Sequence, residues 1–178
     1  MSDFPRTNVG GLSVPRMIIG TNWFVGFSHR SLAQDHYIKA RVKNRQAIAD
    51  ILTVFFSEGV NAIMGCLSQE EEVLEAIKEA EDRTGVGCVR IDTPPINIRD
   101  SDQDRAEAEA YLDEVAACGA DICMPHHSVV ERLLDRGEER IRRLDDYTKM
   151  IRERNMIPGL SAHMPEVVTY ADGQGADV

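Results

Sequence analysis

The sequence predicts a parallel α/β fold of the (β/α)-barrel, TIM-barrel-like type, carrying about five β/α units. Three observations predict it. Short apolar segments recur along the chain, at Arg16-Met-Ile-Ile-Gly20, Val60-Asn-Ala-Ile-Met64, Cys88-Val-Arg-Ile91, Asp121-Ile-Cys-Met124 and Ile157-Pro-Gly-Leu160. Longer stretches with the 3.6-residue apolar period of a helix separate them. Strand starts lie roughly 27 to 44 residues apart, the length of a βα unit with its right-handed crossover.

Taken in order, residues 1–15 are polar and glycine-rich, with a turn at Asn8-Val-Gly-Gly11, and read as a cap or hairpin before the first core strand. Residues 21–43 mix turn residues and charge without a clean period; they are expected to form a long first loop, a candidate lid. From Arg45 to Glu58, the residues Ala47, Ile48, Ile51, Leu52, Phe55 and Phe56 make one apolar helical stripe, stopped at Gly59. A second helix starts at Ser68, places Glu70, Glu71 and Glu72 near its positive end, buries Val73, Leu74, Ala76 and Ile77, and stops near Gly85. The third helix runs from Gln103 to Cys118. A short helical piece from Ser128 and a longer one from Glu138 to Arg154 follow the fourth strand, with Asn155 as the stop. Pro165 and Glu166 suit the first turn of a last helix that reaches Asp172.

Gly119-Ala-Asp-Ile122 opens the fourth strand, and Gly175-Ala-Asp-Val178 repeats it, so a sixth strand is expected to begin at the end of the chain. A full (β/α)₈ barrel takes about 250 residues. The expectation is therefore a single domain over 1–178 that is a barrel incomplete after its fifth unit. A doubly wound open sheet is the competing architecture, and it is disfavoured because no glycine-rich phosphate loop follows the first strand. Open outer strands would expose pairing edges and favour a homo-oligomer.

Composition bounds the partners. At 178 residues, 43% hydrophobic and 28% charged, the chain has the makeup of a globular protein with a sizeable core. A net charge of −10 disfavours nucleic acid or an anionic membrane as main partner, although a small local basic patch still suits a single phosphate group. No stretch approaches the roughly 20 apolar residues of a membrane span, and no signal-peptide pattern is present. Cys66, Cys88, Cys118 and Cys123 form neither a CxxC pair nor a regular framework, which suits reduced thiols in a cytoplasmic protein.

In a parallel α/β fold the C-terminal ends of the strands share one face, so residues just beyond them converge. His126 and His163 each follow an apolar strand, and Asp92 ends the third. Two imidazoles and a carboxylate make the ligand set used by zinc, manganese or iron, or an acid/base cluster. The same residues also suit ordinary hydrogen bonding in loops. His127 is expected to point away from His126, since consecutive extended residues face opposite sides, or else to begin the following helix. Cys66 sits in a Gly-Cys turn ahead of a helix, either as a low-pKa thiol or as an inert small residue. Asn22, Trp23 and His29 lie in the long first loop as candidate substrate contacts. Arg90 alternates with Val89 and Ile91, and its burial would require a carboxylate partner.

Val9-Gly-Gly-Leu-Ser-Val-Pro-Arg16 with Ile18-Ile-Gly-Thr21, and Glu58-Gly-Val-Asn61 with Glu70-Glu-Glu-Val-Leu-Glu-Ala-Ile77, resemble the opening of the aldo/keto reductase barrel. Thr21-Asn-Trp-Phe24, Cys123-Met-Pro-His126 and Pro158-Gly-Leu-Ser-Ala-His163 resemble more closely an uncharacterised group of microbial barrel proteins related to that superfamily. The resemblance implies a TIM barrel and NAD(P)H-linked oxidoreductase chemistry. That family places an aspartate at the end of strand two, a tyrosine soon after, a lysine at the end of strand three and a histidine at the end of strand four. Here strand two ends in Met64-Gly65, no tyrosine lies between Gly65 and Gly87, and strand three ends in Asp92. Only the fourth position matches, through His126 or His127. The expected function is thus an enzyme acting on a small polar, carbonyl- or sugar-like molecule, with a divalent metal favoured over NAD(P)H. The reductase reading and a non-catalytic binding module are the alternatives.

Overall fold

The computed structural model describes residues 4–97 and 101–175, and the chain divides into two compact units, Met1–Arg90 and Ile91–Val178. The first unit opens with the expected hairpin, β1 (Arg6–Val9) antiparallel to β2 (Leu12–Pro15). Gly10 and Gly11 take positive φ of 56° and 90° at its turn, a conformation that favours glycine. Arg6 anchors the hairpin: its Nη1 donates to Asn61 Oδ1 at 2.9 Å, and Asn61 Nδ2 donates to the Gly87 carbonyl at 2.5 Å. The buried Asn61 amide is thereby satisfied on both its atoms.

The first core strand is shorter than expected, β3 (Ile19–Gly20), and pairs in parallel with β4 (Ala62–Gly65). Between them the expected long loop contains a helix, α1 (Leu32–Arg41), ahead of α2 (Arg45–Ser57). Ser31 caps α1 by accepting from the Gln34 N–H at 3.3 Å. Only Ile38 of α1 is buried, while Leu32 and Tyr37 are exposed, so no apolar stripe announces this helix. In its first turn Asp35 accepts from both the N–H and the hydroxyl of Ser28, just upstream of the helix, and these bonds hold its carboxyl below the usual aspartate range.

α2 buries Ile48, Ala49, Leu52 and Phe56. The next helix starts at Glu71, after a single 3₁₀ turn at Leu67–Gln69, and runs as α3 (Glu71–Thr84) to a left-handed Gly85. Its Val73, Ala76, Ile77 and Ala80 join the α2 face in one apolar cluster. Fully burying each of the larger side chains contributes about 1.5–3 kcal/mol. β5 (Val89–Asp92) follows, its Val89 N–H on the Asn61 carbonyl at 2.8 Å. Arg90 finds its carboxylate: Nη2 lies 2.7 Å from Glu81 Oε2.

In the second unit, α4 (Asp102–Ala117) is capped by Ser101 and leads to β6 (Ile122–Cys123), with Ile122 and Cys123 in parallel register to Ile91 and Asp92. α5 (His127–Val130) is short. The helix expected from Glu138 begins later, because residues 134–141 form an antiparallel hairpin, β7 (Leu134–Asp135) with β8 (Arg140–Ile141). Glu139 and Arg143 take positive φ of 49° and 62°, which interrupts helical geometry until α6 (Leu144–Arg152). The Gln174 side chain serves the outer edge of β8, accepting from the Ile141 N–H at 2.6 Å and donating to the Ile141 carbonyl at 3.2 Å. Asn155, at φ 60°, ends the α6 segment before β9 (Ile157–Pro158), which pairs in parallel with β6, and α7 (Pro165–Gly173) closes the unit. Leu112, Val115, Ile141, Leu144, Tyr147, Ile151 and Val167 form its core. Burial pushes the Tyr147 phenol up and keeps it protonated.

The chain is therefore α/β, with β3, β4, β5, β6 and β9 as strands of parallel type. The expected sixth strand falls on residues 176–178, outside the described residues. Among the described residues no helix is long and apolar enough to cross a membrane.

Two glycines give a contrast in packing. A Cβ on Gly65 would overlap Thr21 Oγ1 and lie 2.9 Å from Thr21 Cβ, and Thr21 is fixed by its N–H on the Met64 carbonyl at 3.2 Å. A Cβ on Gly159 meets the flexible Met124 side chain, with Cγ at 2.6 Å. Gly65→Ala is expected to cost about 1–3 kcal/mol by urea denaturation, with Gly159→Ala costing distinctly less.

Candidate functional site

Beyond β6 the chain leaves the sheet through Met124-Pro125-His126. Met124 N–H donates to the Asp92 carbonyl at 2.8 Å and His126 N–H to the Pro94 carbonyl at 3.0 Å, so the extended pairing continues past the assigned strands. His126 is the N-cap of α5: its Nδ1 accepts from the Ser128 N–H at 3.3 Å and lies 2.9 Å from Ser128 Oγ. An amide N–H only donates, so Nδ1 is the acceptor and the ring proton resides on Nε2. Burial first, and then the neighbouring His127 and His163, hold the His126 pKa below the ordinary histidine value. The ring is neutral at pH 7.

His127 does not point away from His126; the alternative, that it begins the helix, is the one observed. His126 is extended, at φ −57° and ψ 144°, and His127 is already helical, so the strict alternation of a strand ends between them. Their ring centroids are 4.1 Å apart. Starting the helix at His127 places Glu131 one turn further along the same face. His127 Nδ1 is shielded from solvent and lies 3.8 Å from Glu131 Oε2, beyond hydrogen-bonding range.

His163 arrives from β9, the parallel neighbour of β6, in the segment before α7. Its N–H donates to Glu131 Oε1 at 2.6 Å, and its own Nδ1 is 3.5 Å from that oxygen. Its ring packs edge-on against His127, centroids 4.0 Å apart. Among the described residues, His127, Glu131 and His163 each offer a ligand atom, all within 4.8 Å of one another. The His163 N–H is the main cause holding Glu131 below the usual carboxylate range, with the two imidazoles adding to it. Glu131 is 17% exposed and His163 is 72% exposed, so the carboxylate is sheltered while one imidazole faces solvent.

Of the expected trio of Asp92, His126 and His163, only His163 joins this group. His126 stands beside it with Nδ1 engaged. Asp92 is fully buried and receives the Cys118 thiol at 3.8 Å, so it belongs to the interior of its unit. Glu131 was not anticipated, although the His127-x-x-x-Glu131 spacing at a helix start carries the signal. The other expected contacts belong to the first unit. Asn22 Nδ2 lies 2.7 Å from His29 Nε2, and the His29 ring packs on Phe27 at 4.3 Å. Trp23 is half exposed, and the half-buried Cys66 immediately precedes the 3₁₀ turn.

The donor set fits a divalent cation. Two nitrogen or oxygen ligands at about 2.0–2.2 Å from one tetrahedral ion are roughly 3.3–3.6 Å apart. The Glu131 oxygens lie 3.5 Å from His163 Nδ1 and 3.8 Å from His127 Nδ1, close to that spacing, in a set whose ligand atoms are all within 4.8 Å. No family model and no curated protein sequence matches the chain.

Because the Glu131 carboxyl titrates lower in the folded chain than in the unfolded one, it binds fewer protons when folded. Its contribution to stability is complete above the ordinary glutamate value and is lost as pH falls from there through the lowered folded value. Glu131→Gln is expected to flatten that acid limb relative to the parent protein, read from urea midpoints measured across it.

Proposed function

We propose that this chain is a metal-dependent enzyme of the (β/α)-barrel class. It acts on a small polar, carbonyl- or sugar-like molecule beyond the C-terminal ends of β6 and β9. His127, Glu131 and His163 hold the cation. The observation that carries this reading is the convergence of two imidazoles and one ionised carboxylate within 4.8 Å, from two segments that follow neighbouring parallel strands. Zinc, manganese or iron matches two nitrogen donors and one carboxylate oxygen. Such an ion supplies Lewis acidity, polarising a carbonyl or lowering the pKa of bound water.

The chain's own residues do the rest. Glu131 is kept charged and oriented by the His163 N–H. The exposed His163 leaves the group open to a ligand from solvent. His126, neutral and protonated on Nε2, is a hydrogen-bond donor beside the cluster. The strand ends favour this reading over hydride transfer, since Gly65 and the buried Asp92 stand where the reductase resemblance would place an aspartate and a lysine.

The test is the metal content of protein purified without chelator, together with its thermal midpoint on adding Zn²⁺, Mn²⁺ or Fe²⁺. Near-stoichiometric metal is expected, with a stabilisation of about 2.7 kcal/mol at one hundred times the dissociation constant. His127→Ala and His163→Ala should each abolish it. Negligible metal and an unmoved midpoint in the parent protein would remove the proposal.

A further inference from the structure

The second unit carries an open cleft of about 1020 Å³ on the other side of α5, between that helix, the β7–β8 hairpin and the first turn of α6. Its lining includes Arg132, Arg140, Arg142 and Arg143, and among the described residues the carboxylates on that lining are Asp145 and Asp146. That is a local excess of positive charge in a chain whose net charge is −10. Two of the four arginines are spoken for: Arg140 pairs with Glu138 at 2.6 Å and Arg143 with Asp146 at 3.0 Å. Arg132 and Arg142 have no carboxylate partner among the described residues. Arg142 Nη2 donates to the Arg132 carbonyl at 3.3 Å, which holds the two residues side by side where both line the cleft.

The geometry points to a binding site for a small phosphate monoester, held by Arg132 and Arg142, with Asp145 accepting from the hydroxyls of its organic part. The charges match. A phosphate monoester carries about −1.5 to −2 at pH 7, and two otherwise uncompensated guanidiniums neutralise it through bidentate, charge-assisted hydrogen bonds. The volume suits a small molecule, since ligand pockets run to about 300–1000 Å³. A polyanion is disfavoured by the charge of the rest of the chain. Asp145 and Asp146 lie in the first turn of α6 and line the cleft, which places the Asp145 carboxylate there as an acceptor. This site shares no residue with the His127–Glu131–His163 group on the adjoining face of α5 and does not depend on a metal there.

Calorimetric titration of EDTA-treated protein with glucose 6-phosphate, with glucose as the uncharged comparison, tests it. Glucose 6-phosphate should bind and glucose should not. Arg132→Ala and Arg142→Ala should each weaken binding by about tenfold or more, the loss of a charge-assisted pair, and the lysine variants should recover part of it. Arg105→Ala, on α4 and away from the cleft, should change nothing, and His163→Ala should bind as the parent does. Absent binding, or unchanged affinity in the Arg132→Ala/Arg142→Ala double variant, overturns the inference. So does binding that disappears in His163→Ala or appears only when metal is restored, because the anion would then sit on the metal. Metal content measured on the same variants tells a failure here from a failure of the metal centre.

Discussion

Parallel pairing obliges the chain to travel back along the sheet before it can lay down the next strand, and here the strands are only two to four residues long. Ladders that short contribute few hydrogen bonds, so the sheet depends on what covers it. In the first unit the cover is the shared apolar face of α2 and α3, with Leu52, Phe56, Ile77 and Ala80 almost wholly removed from water. In the second it is Leu112, Ile141, Leu144, Tyr147 and Ile151. Ion pairs such as Arg83 with Asp50 and Glu79 decorate the α2–α3 surface, and exposed pairs of this kind contribute about 0–1 kcal/mol each. Burial of helical stripes is what makes two-residue strands tenable.

The same obligation shapes the site. After β6 the return begins early: α5 starts four residues beyond the end of that strand. In that short distance one helical turn divides three tasks among its faces. Val130 goes inward and is fully buried. His127 and, a turn later, Glu131 meet His163. Ser128 and Arg132 line the arginine-rich cleft. The two candidate sites are therefore neighbours by construction, set on adjoining faces of one element.

How far the sequence revealed this depends on the residue. Strongly periodic stretches, α2 and α3 above all, were legible because their stripes are long and their stops are glycines. The need of Arg90 for a carboxylate was legible from charge alone, and Glu81 meets it. α1 was hidden because it buries little, although Ser31 followed by Gln34 is a capping signal. The late start of α6 was hidden because left-handed backbone at Glu139 and Arg143 has no mark in residues that rarely adopt it. Asp92 suggested an accessible ligand because it ends a strand, yet a strand covered on both faces buries even its last side chain. Glu131 was not legible because it lies one helical turn beyond the strand end, as the C-cap of α5.

Gln174 gives the small hairpin an unusual dependence. Its amide performs, with one N–H and one oxygen, the work that another strand's backbone would do along the outer side of Ile141. A sheet margin closed by a side chain is vulnerable to chemical ageing in a way that a backbone-closed margin is not. Hydrolysis of that single amide to a carboxylate would keep the acceptor for the Ile141 N–H but set negative charge against the Ile141 oxygen. The Ile141 carbonyl would lose its donor and meet a like-charged oxygen instead, loosening the hairpin from the residue that follows α7.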